Sequence, residues 1–349
     1  MIDWDLAVST AARMAGPGPA IGFDQAESVV AELRAGAESS TPLVREFTGL
    51  VAQERSAPVL VVDRAGWIRA NADGFARIIT PLAERLREKR GAPSAAVDTI
   101  GSKVTGLEVG TILGFMSSKV LGQFDPFWAP SGAPEAGRLL LVAPNIVHVE
   151  NELGVDPTDF RLWVCLHEET HRVQFTAVPW LRDHIQSEIE GLVGGVDLDP
   201  GKLAALIGEA VRRIGDAVRG QEGASLLDLV SSPEQRETMD RLTGVMSLLE
   251  GHADVVMDGV GPEVIPTVTE IRRRFNRRRR GASYVDRVLR KLLGLDQKMA
   301  QYRDGAAFSR AVIDRVGMDG FNRVWTSPET LPTKAEILAP EEWLARVHG

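Results

Sequence analysis

The chain has 349 residues, of which 44% are hydrophobic and 25% are charged, a globular profile long enough for one or two domains. Its net charge of −8 argues against a protein built to grip nucleic acid, and its single cysteine excludes an internal disulfide. The N-terminus lacks a signal-peptide pattern and no run of about 18 apolar residues occurs, so we expect a cytoplasmic protein without a membrane span.

Two apolar runs predict strands in a chain whose spacing is otherwise mainly helical. Pro58–Asp63 is rich in valine and is followed by a turn, and Leu139–Val142 is ended by an Ala-Pro-Asn sequence. Because helical spacing dominates elsewhere, we expect residues 1–135 to form a helical N-terminal region. This region would pack on the remainder of the chain, residues 136–349.

Glycines recur every four residues between positions 101 and 125, at Gly106, Gly110 and Gly114. Such a ladder of small residues lets two helices approach closely, in membranes as well as in soluble proteins. Charged residues such as Lys103 and Glu108 interrupt the stretch. We therefore interpret it as a tightly packed helix of a soluble protein.

The stretch between Asp156 and Pro179 carries the most informative motif. Asp156 predicts a helix N-cap, and the helix should stop just before Pro179. Within it, the sequence His167-Glu168-x-x-His171 places two imidazoles one turn apart on one face. Random placement of 6 histidines and 48 acids would give only about 0.014 such matches. Histidines so spaced can bind one metal ion, and Glu168 can act on a water bound to it.

A catalytic zinc usually takes three protein ligands, so a third is needed besides the two histidines. Gln174 and Ala177 stand where the extended metzincin motif requires glycine and histidine, which excludes that class. We favour Glu250, on the helix predicted after Pro233, because Asp254 lies one turn later and could accept a hydrogen bond from a ligating histidine. The alternatives are Glu188, Glu190 and His252.

Seven arginines occupy nine positions in the stretch 272–280. One interpretation is a patch that binds anions or nucleic acid. The other is a solvated helix face whose arginines pair with the excess acids of the chain. The net charge of −8 favours the second interpretation, so nucleic acid is not an expected partner.

The combination of His167-Glu168-x-x-His171 with Glu250 and Asp254 resembles the gluzincin branch of zinc peptidases. Nearly the whole chain resembles the bacterial zincin-like type 2 metallopeptidase family, which is sometimes labelled as associated with deazaflavin coenzyme biosynthesis. The stretches that carry this resemblance are Asp159–Val164, Gln174–Trp180, Leu295–Tyr302 and Trp325–Glu329. The resemblance implies a mainly α (α+β) zincin-like fold with a small sheet, in which residues 136–349 form the catalytic domain.

These observations predict a zinc-dependent metallohydrolase, with peptidase activity and a peptide or protein substrate favoured. Glu168 would be the general base. The candidate for stabilising the oxyanion is Tyr302, with Tyr284, Arg303 and His252 as rivals. In zinc peptidases the strand before the metal helix often forms a sheet edge along which substrate extends, and we assign this role to Leu139–Val142.

The alternative is a non-catalytic interaction or regulatory protein that keeps zinc for structure. A structural zinc is closed by four protein ligands, whereas a catalytic zinc keeps one position open. Glu168 favours catalysis, because a structural site has no use for it. The sequence leaves the substrate, its cleavage site and the oligomeric state open.

Overall fold

The computed structural model describes residues 2–51, 57–90, 95–129, 137–194, 233–280 and 295–349. The helices are α1 (Trp4–Met14), α2 (Phe23–Thr48), α3 (Arg64–Arg90), α4 (Ala95–Ser117), α5 (Ala143–Leu153), α6 (Pro157–Ala177), α7 (Pro179–Gly194), α8 (Pro233–Val264), α9 (Val268–Arg280), α10 (Leu295–Phe321), α11 (Lys334–Leu338) and α12 (Pro340–His348). The strands are β1 (Val59–Val62), β2 (Gly122–Asp125) and β3 (Arg138–Val142). The predicted mainly helical fold with a small sheet is confirmed.

The sheet has the strand order β1-β3-β2, with β1 parallel and β2 antiparallel to β3. Both predicted strands are confirmed, but the prediction that Leu139–Val142 forms a sheet edge is wrong. This segment lies in β3, the central strand, whose five residues are all buried. A strand buried on both faces has a continuous apolar sequence rather than an alternating one, as β3 does. The edge beside α6 is formed by β2, which the sequence did not predict.

Helix α6 begins and ends where the sequence predicts. The Asp156 carboxylate accepts a hydrogen bond from the Asp159 N–H at 3.0 Å, and the helix stops at Ala177, two residues before Pro179. The inner face of α6 lies in a core cluster that also contains residues of α2, β3 and α8, among them Leu33, Leu141 and Met257. Because α6 is fixed on several sides, its histidines are held in place by packing.

The glycine ladder of α4 faces α1, as the close-packing interpretation predicted. A Cβ atom at Gly110 would lie 2.5 Å from the Ala7 carbonyl oxygen, so only glycine allows this approach. A Cβ at Gly106 would clash in the same way with the Asp3 carbonyl oxygen. None of the helices in the described part of the chain is long and apolar enough to cross a membrane.

The predicted division between residues 1–135 and 136–349 passes between β2 and β3. One sheet therefore draws strands from both sides of this boundary. Helix α2, from the N-terminal side, also shares a core cluster with α6. The division into two regions stays a prediction.

A buried ion pair ties α6 to α2 and to the segment before β1. The Arg172 guanidinium donates to both Glu169 carboxylate oxygens, at 2.6 and 2.7 Å, and to the Ala57 carbonyl oxygen at 3.1 Å. The Thr41 hydroxyl donates to Glu169 at 2.8 Å and accepts from Arg172 at 2.9 Å. Glu169 is fully buried, so water cannot replace the carboxylate.

Glu169→Ala should therefore lower the free energy of unfolding by about 3–5 kcal/mol, because it leaves the Arg172 charge buried without its partner. Urea unfolding of the metal-free protein would measure this loss without a contribution from bound metal. Glu46→Ala, at an exposed site on α2, is the control and should change stability by less than about 0.5 kcal/mol. Equal losses in the two variants would contradict the prediction.

Candidate metal centre

A groove of about 640 Å³ lies between α6, α8 and β2. Helices α6 and α8 run antiparallel along it. Near the end of α6, the Gln174 amide nitrogen donates to the Leu249 carbonyl oxygen at 3.0 Å. Two turns closer to the start of α6, His167 Nδ1 lies 3.3 Å from Met257 Sδ, which is further along α8 than Leu249. The groove therefore follows α6, with the paired histidines near its middle.

The structure brings His167, His171 and Glu250 together in this groove. The Nε2 atoms of the two histidines are 3.3 Å apart, and Glu250 Oε2 lies 3.5 Å from His167 Nε2 and 3.8 Å from His171 Nε2. Two ligand atoms bound about 2.1 Å from a tetrahedral zinc ion are about 3.4 Å apart. The triangle of donor atoms thus fits a zinc ion, with two nitrogens and one carboxylate oxygen.

The other candidates for the third ligand lie elsewhere. Glu188 accepts from Arg241 at 2.9 Å, and Glu190 accepts from Gln186 at 3.0 Å. His252 is fully buried and faces Gln174 rather than the groove. Burial, assisted by the nearby His171, lowers the pKa of His252 to about 3, so this ring is neutral.

The Glu168 carboxyl group borders the groove beside the edge strand β2. A Cβ atom at Gly122 would lie 2.5 Å from Glu168 Cγ, so the glycine makes room for this side chain. Burial raises the pKa of Glu168 to about 8; the charge of His171 lowers it and that of Glu250 raises it further. A dication in the groove would favour the carboxylate form, which is the form that accepts a proton.

Burial lowers the pKa of His171, but the charge of Glu250 and a hydrogen bond to it outweigh burial and raise this pKa to about 9. In the absence of metal, His171 thus binds a proton, whose positive charge is stabilised by Glu250 as that of a metal cation would be. Metal binding must displace such protons, because only the deprotonated imidazole nitrogen is a ligand. The charges around His171 therefore favour a cation at this point.

Asp254 has a different partner from the one predicted. Its carboxylate accepts from Arg272 of α9 at 3.2 Å, and Arg272 also pairs with Asp258 at 2.7 Å. Packing of α9 against α8 brings the charged guanidinium of Arg272 to Asp254. The spacing of residues within α8 could not predict this contact between two helices. The Nδ1 atom of His171 instead lies 2.9 Å from Gln174 Oε1. His171 and Gln174 are three residues apart on one helix face, and this spacing in the sequence could have predicted their contact.

The remaining oxyanion candidates lie outside the structural description. Tyr284 is outside the described residues, and so are the side chains of Tyr302 and Arg303. The predicted role of Tyr302 stays a prediction.

The arginines of α9 pair mainly with acids. Arg272 bonds two aspartates of α8, as described above, and Arg274 lies 2.5 Å from Glu270. Arg278 donates to Glu152 of α5 at 2.8 Å. These contacts agree with the paired-face interpretation for Arg272, Arg274 and Arg278, whereas the side chains at 279 and 280 lie outside the described set.

The two ends of the groove differ in chemistry. Next to the C-terminal end of α6, the rings of Phe124 and Phe175 are 5.5 Å apart. This apolar end is completed by Phe127, Ile185, Ile189, Met246 and Leu249. At the other end, Trp163 and Phe275 pack edge to face at 5.0 Å, and polar side chains also line the wall there: Lys119, Asp254, Arg272 and Asn276.

The outer edge of β2, which pairs with no further strand in the described part of the chain, borders the same groove. The Leu121 carbonyl oxygen accepts from the Val142 N–H at 2.8 Å, so this residue faces β3. In an antiparallel pair, alternate residues direct their backbone groups to opposite sides. Gly122 and Phe124 therefore present their N–H and C=O groups away from β3.

Comparison with known proteins gives two matches. A family model described as zincin-like metallopeptidase matches residues 2–344. The chain is also similar to a crystal structure from Chloroflexus aurantiacus, provisionally described as a hydrolase with a novel fold. The two share 30% sequence identity and superpose with a TM-score of 0.71, over 100% of this chain and 99% of the other. The curated proteins give no significant match.

Proposed function

The chain belongs to the zincin-like metallopeptidase family, and from this premise we propose that it is a zinc-dependent peptidase. The observation that carries the proposal is the triangle of His167, His171 and Glu250, whose donor atoms are 3.3 to 3.8 Å apart, with Glu168 beside it. The similar structure from Chloroflexus aurantiacus supports hydrolysis as the class of reaction. Neither comparison mentions a deazaflavin coenzyme, so that association carries no part of the proposal.

Zinc held by these three side chains would supply a Lewis acid that polarises the substrate carbonyl and acidifies a coordinated water. Glu168 follows His167 directly in α6, and its carboxylate takes the proton from the attacking water. The same group then delivers this proton to the leaving amine. Glu168 is only 7% exposed, so little bulk water competes for the proton.

The walls of the groove suit an extended peptide. The backbone groups of Gly122 and Phe124 that point away from β3 can pair with a substrate strand, as in other cases of strand addition at a sheet edge. The paired rings of Phe124 and Phe175 form the start of the apolar end, within reach of a substrate side chain. We therefore expect a substrate with a large apolar side chain at a fixed position relative to the cleaved bond.

A peptide-library digest tests this proposal. The zinc-loaded protein should cleave peptides with an apolar residue at one fixed position from the cleaved bond. Treatment with a chelator should abolish cleavage, and added zinc should restore it, because the metal supplies the Lewis acid. A protein that holds about one zinc per chain but cleaves nothing in the library would overturn the peptidase proposal and favour a non-catalytic zinc protein.

A further inference from the structure

Gln174 connects the two helices that carry the proposed ligands. It lies three residues after His171 on α6 and is fully buried. Its Oε1 lies 2.9 Å from His171 Nδ1. Its Nε2 lies 3.0 Å from the Leu249 carbonyl oxygen and 2.9 Å from His252 Nδ1, both on α8. One amide group thus contacts a proposed ligand, a backbone carbonyl and a second histidine.

These contacts fix the orientation of the Gln174 amide. The Leu249 carbonyl oxygen can only accept hydrogen bonds, so the amide nitrogen must face it. The second amide hydrogen points to His252 Nδ1, which therefore accepts. The amide oxygen remains for His171, and an amide oxygen cannot donate. His171 must then carry a hydrogen on Nδ1.

The hydrogen on Nδ1 decides what the other nitrogen of His171 can do. In a neutral imidazole one ring nitrogen donates and the other accepts. With Nδ1 as donor, the lone pair lies on Nε2, which faces His167 Nε2 at 3.3 Å and Glu250 Oε2 at 3.8 Å. This is the nitrogen that a metal ion in the triangle would use.

His252 contacts the Gln174 amide on the side opposite His171 and helps to hold it in place. It is fully buried, and its ring stacks on Phe321 with centroids 5.2 Å apart. Its Nε2 has no hydrogen-bond partner among the described residues. Within the described part of the chain, the polar side chain that this ring contacts is therefore Gln174, and the stack on Phe321 holds the accepting nitrogen in place.

We propose that Gln174 is a positioning residue which, with His252 behind it, holds His171 in the tautomer and orientation that metal binding needs. The inference rests on the proposed metal site. Outer partners of metal-ligating histidines change metal affinity or activity by about 10–100-fold when removed. The partner here is a neutral amide on the same helix, so it orients His171 without adding a negative charge to the centre.

Gln174→Leu tests the proposal, since leucine has a similar volume but no acceptor. Zinc affinity, measured by chelator competition, should fall by about 10–100-fold. The visible spectrum of the cobalt-substituted protein should change as well, because the ring of His171 is free to turn. Gln186→Leu is the matched control, because among the described residues its amide bonds Glu190 on the surface of α7, and this variant should match the parent.

Gln174→Glu distinguishes a role in orienting His171 from a role in filling space between α6 and α8. A carboxylate oxygen still accepts from His171 Nδ1. His252 can move its hydrogen to Nδ1, because its Nε2 would lose no hydrogen bond to any described residue. We therefore expect this variant to regain most of the zinc affinity that the leucine variant loses. If packing alone mattered, a buried carboxylate beside the Leu249 carbonyl would bind zinc no better than leucine. NMR of the zinc-loaded protein should show a protected His171 Nδ1–H in the parent and in Gln174→Glu only.

The outcomes separate this inference from the proposed function. If the parent and Gln174→Leu bind zinc equally well, the positioning role is wrong and the metal site stands. If the glutamate variant is as weak as the leucine variant at equal stability, the positioning role is wrong too. A parent that binds no zinc overturns the metal site and this inference with it.

Discussion

Glu250→Ala is expected to abolish tight zinc binding, to the same degree as His167→Ala or His171→Ala. Each change removes one of the three proposed protein ligands, and the Glu250 carboxylate oxygen lies 3.5 and 3.8 Å from the two imidazole nitrogens. The loss should exceed the roughly 10–100-fold effect of removing a residue that only supports a ligand. Metal content after dialysis, followed by chelator competition, measures it.

Two other acids serve as controls for this prediction. Glu190→Ala removes a carboxylate that bonds Gln186 on the surface of α7, so zinc binding should stay at the parent level. Asp254→Asn, one turn from Glu250, removes a partner of Arg272 and should also leave zinc affinity nearly unchanged. If Glu250→Ala keeps the parent affinity while Glu190→Ala loses zinc, the ligand set is wrong.

Glu168→Gln should keep zinc and lose hydrolysis by roughly a hundredfold or more, because the amide has the same shape but cannot take a proton. The rate is measured as kcat on a peptide identified in the library digest, with zinc content determined on the same sample. Gly122→Ala should act in the same direction, since its Cβ would occupy the space of the Glu168 side chain. Both variants should hold about one zinc per chain.

The neighbouring acid gives a matched control for the base. Glu169 is also buried on α6, but it pairs with Arg172 on the side that faces α2. Glu169→Gln should therefore lower stability while the turnover of the folded, zinc-loaded protein stays near that of the parent. Unchanged turnover in Glu168→Gln would show that Glu168 is not the base.

The sequence by itself determined the features that depend on local spacing. The α6 boundaries follow from Asp156 as a cap and from Pro179, and the pairing of His167 with His171 follows from the helical period. These are relations between residues at most four positions apart, which backbone geometry fixes whatever the rest of the chain does. The sequence favoured Glu250 as the third ligand because Asp254 lies one turn later, although Asp254 in fact bonds Arg272.

Only the tertiary structure decided the relations between elements. It placed Glu250 beside the histidines, turned Asp254 toward Arg272 and made β3 the central strand instead of an edge. It also joined Gln174 to His252, 78 residues away. Such contacts depend on how α8 crosses α6 and on which strand pairs with which. Packing of whole elements sets these distances, and no local period in the sequence encodes them.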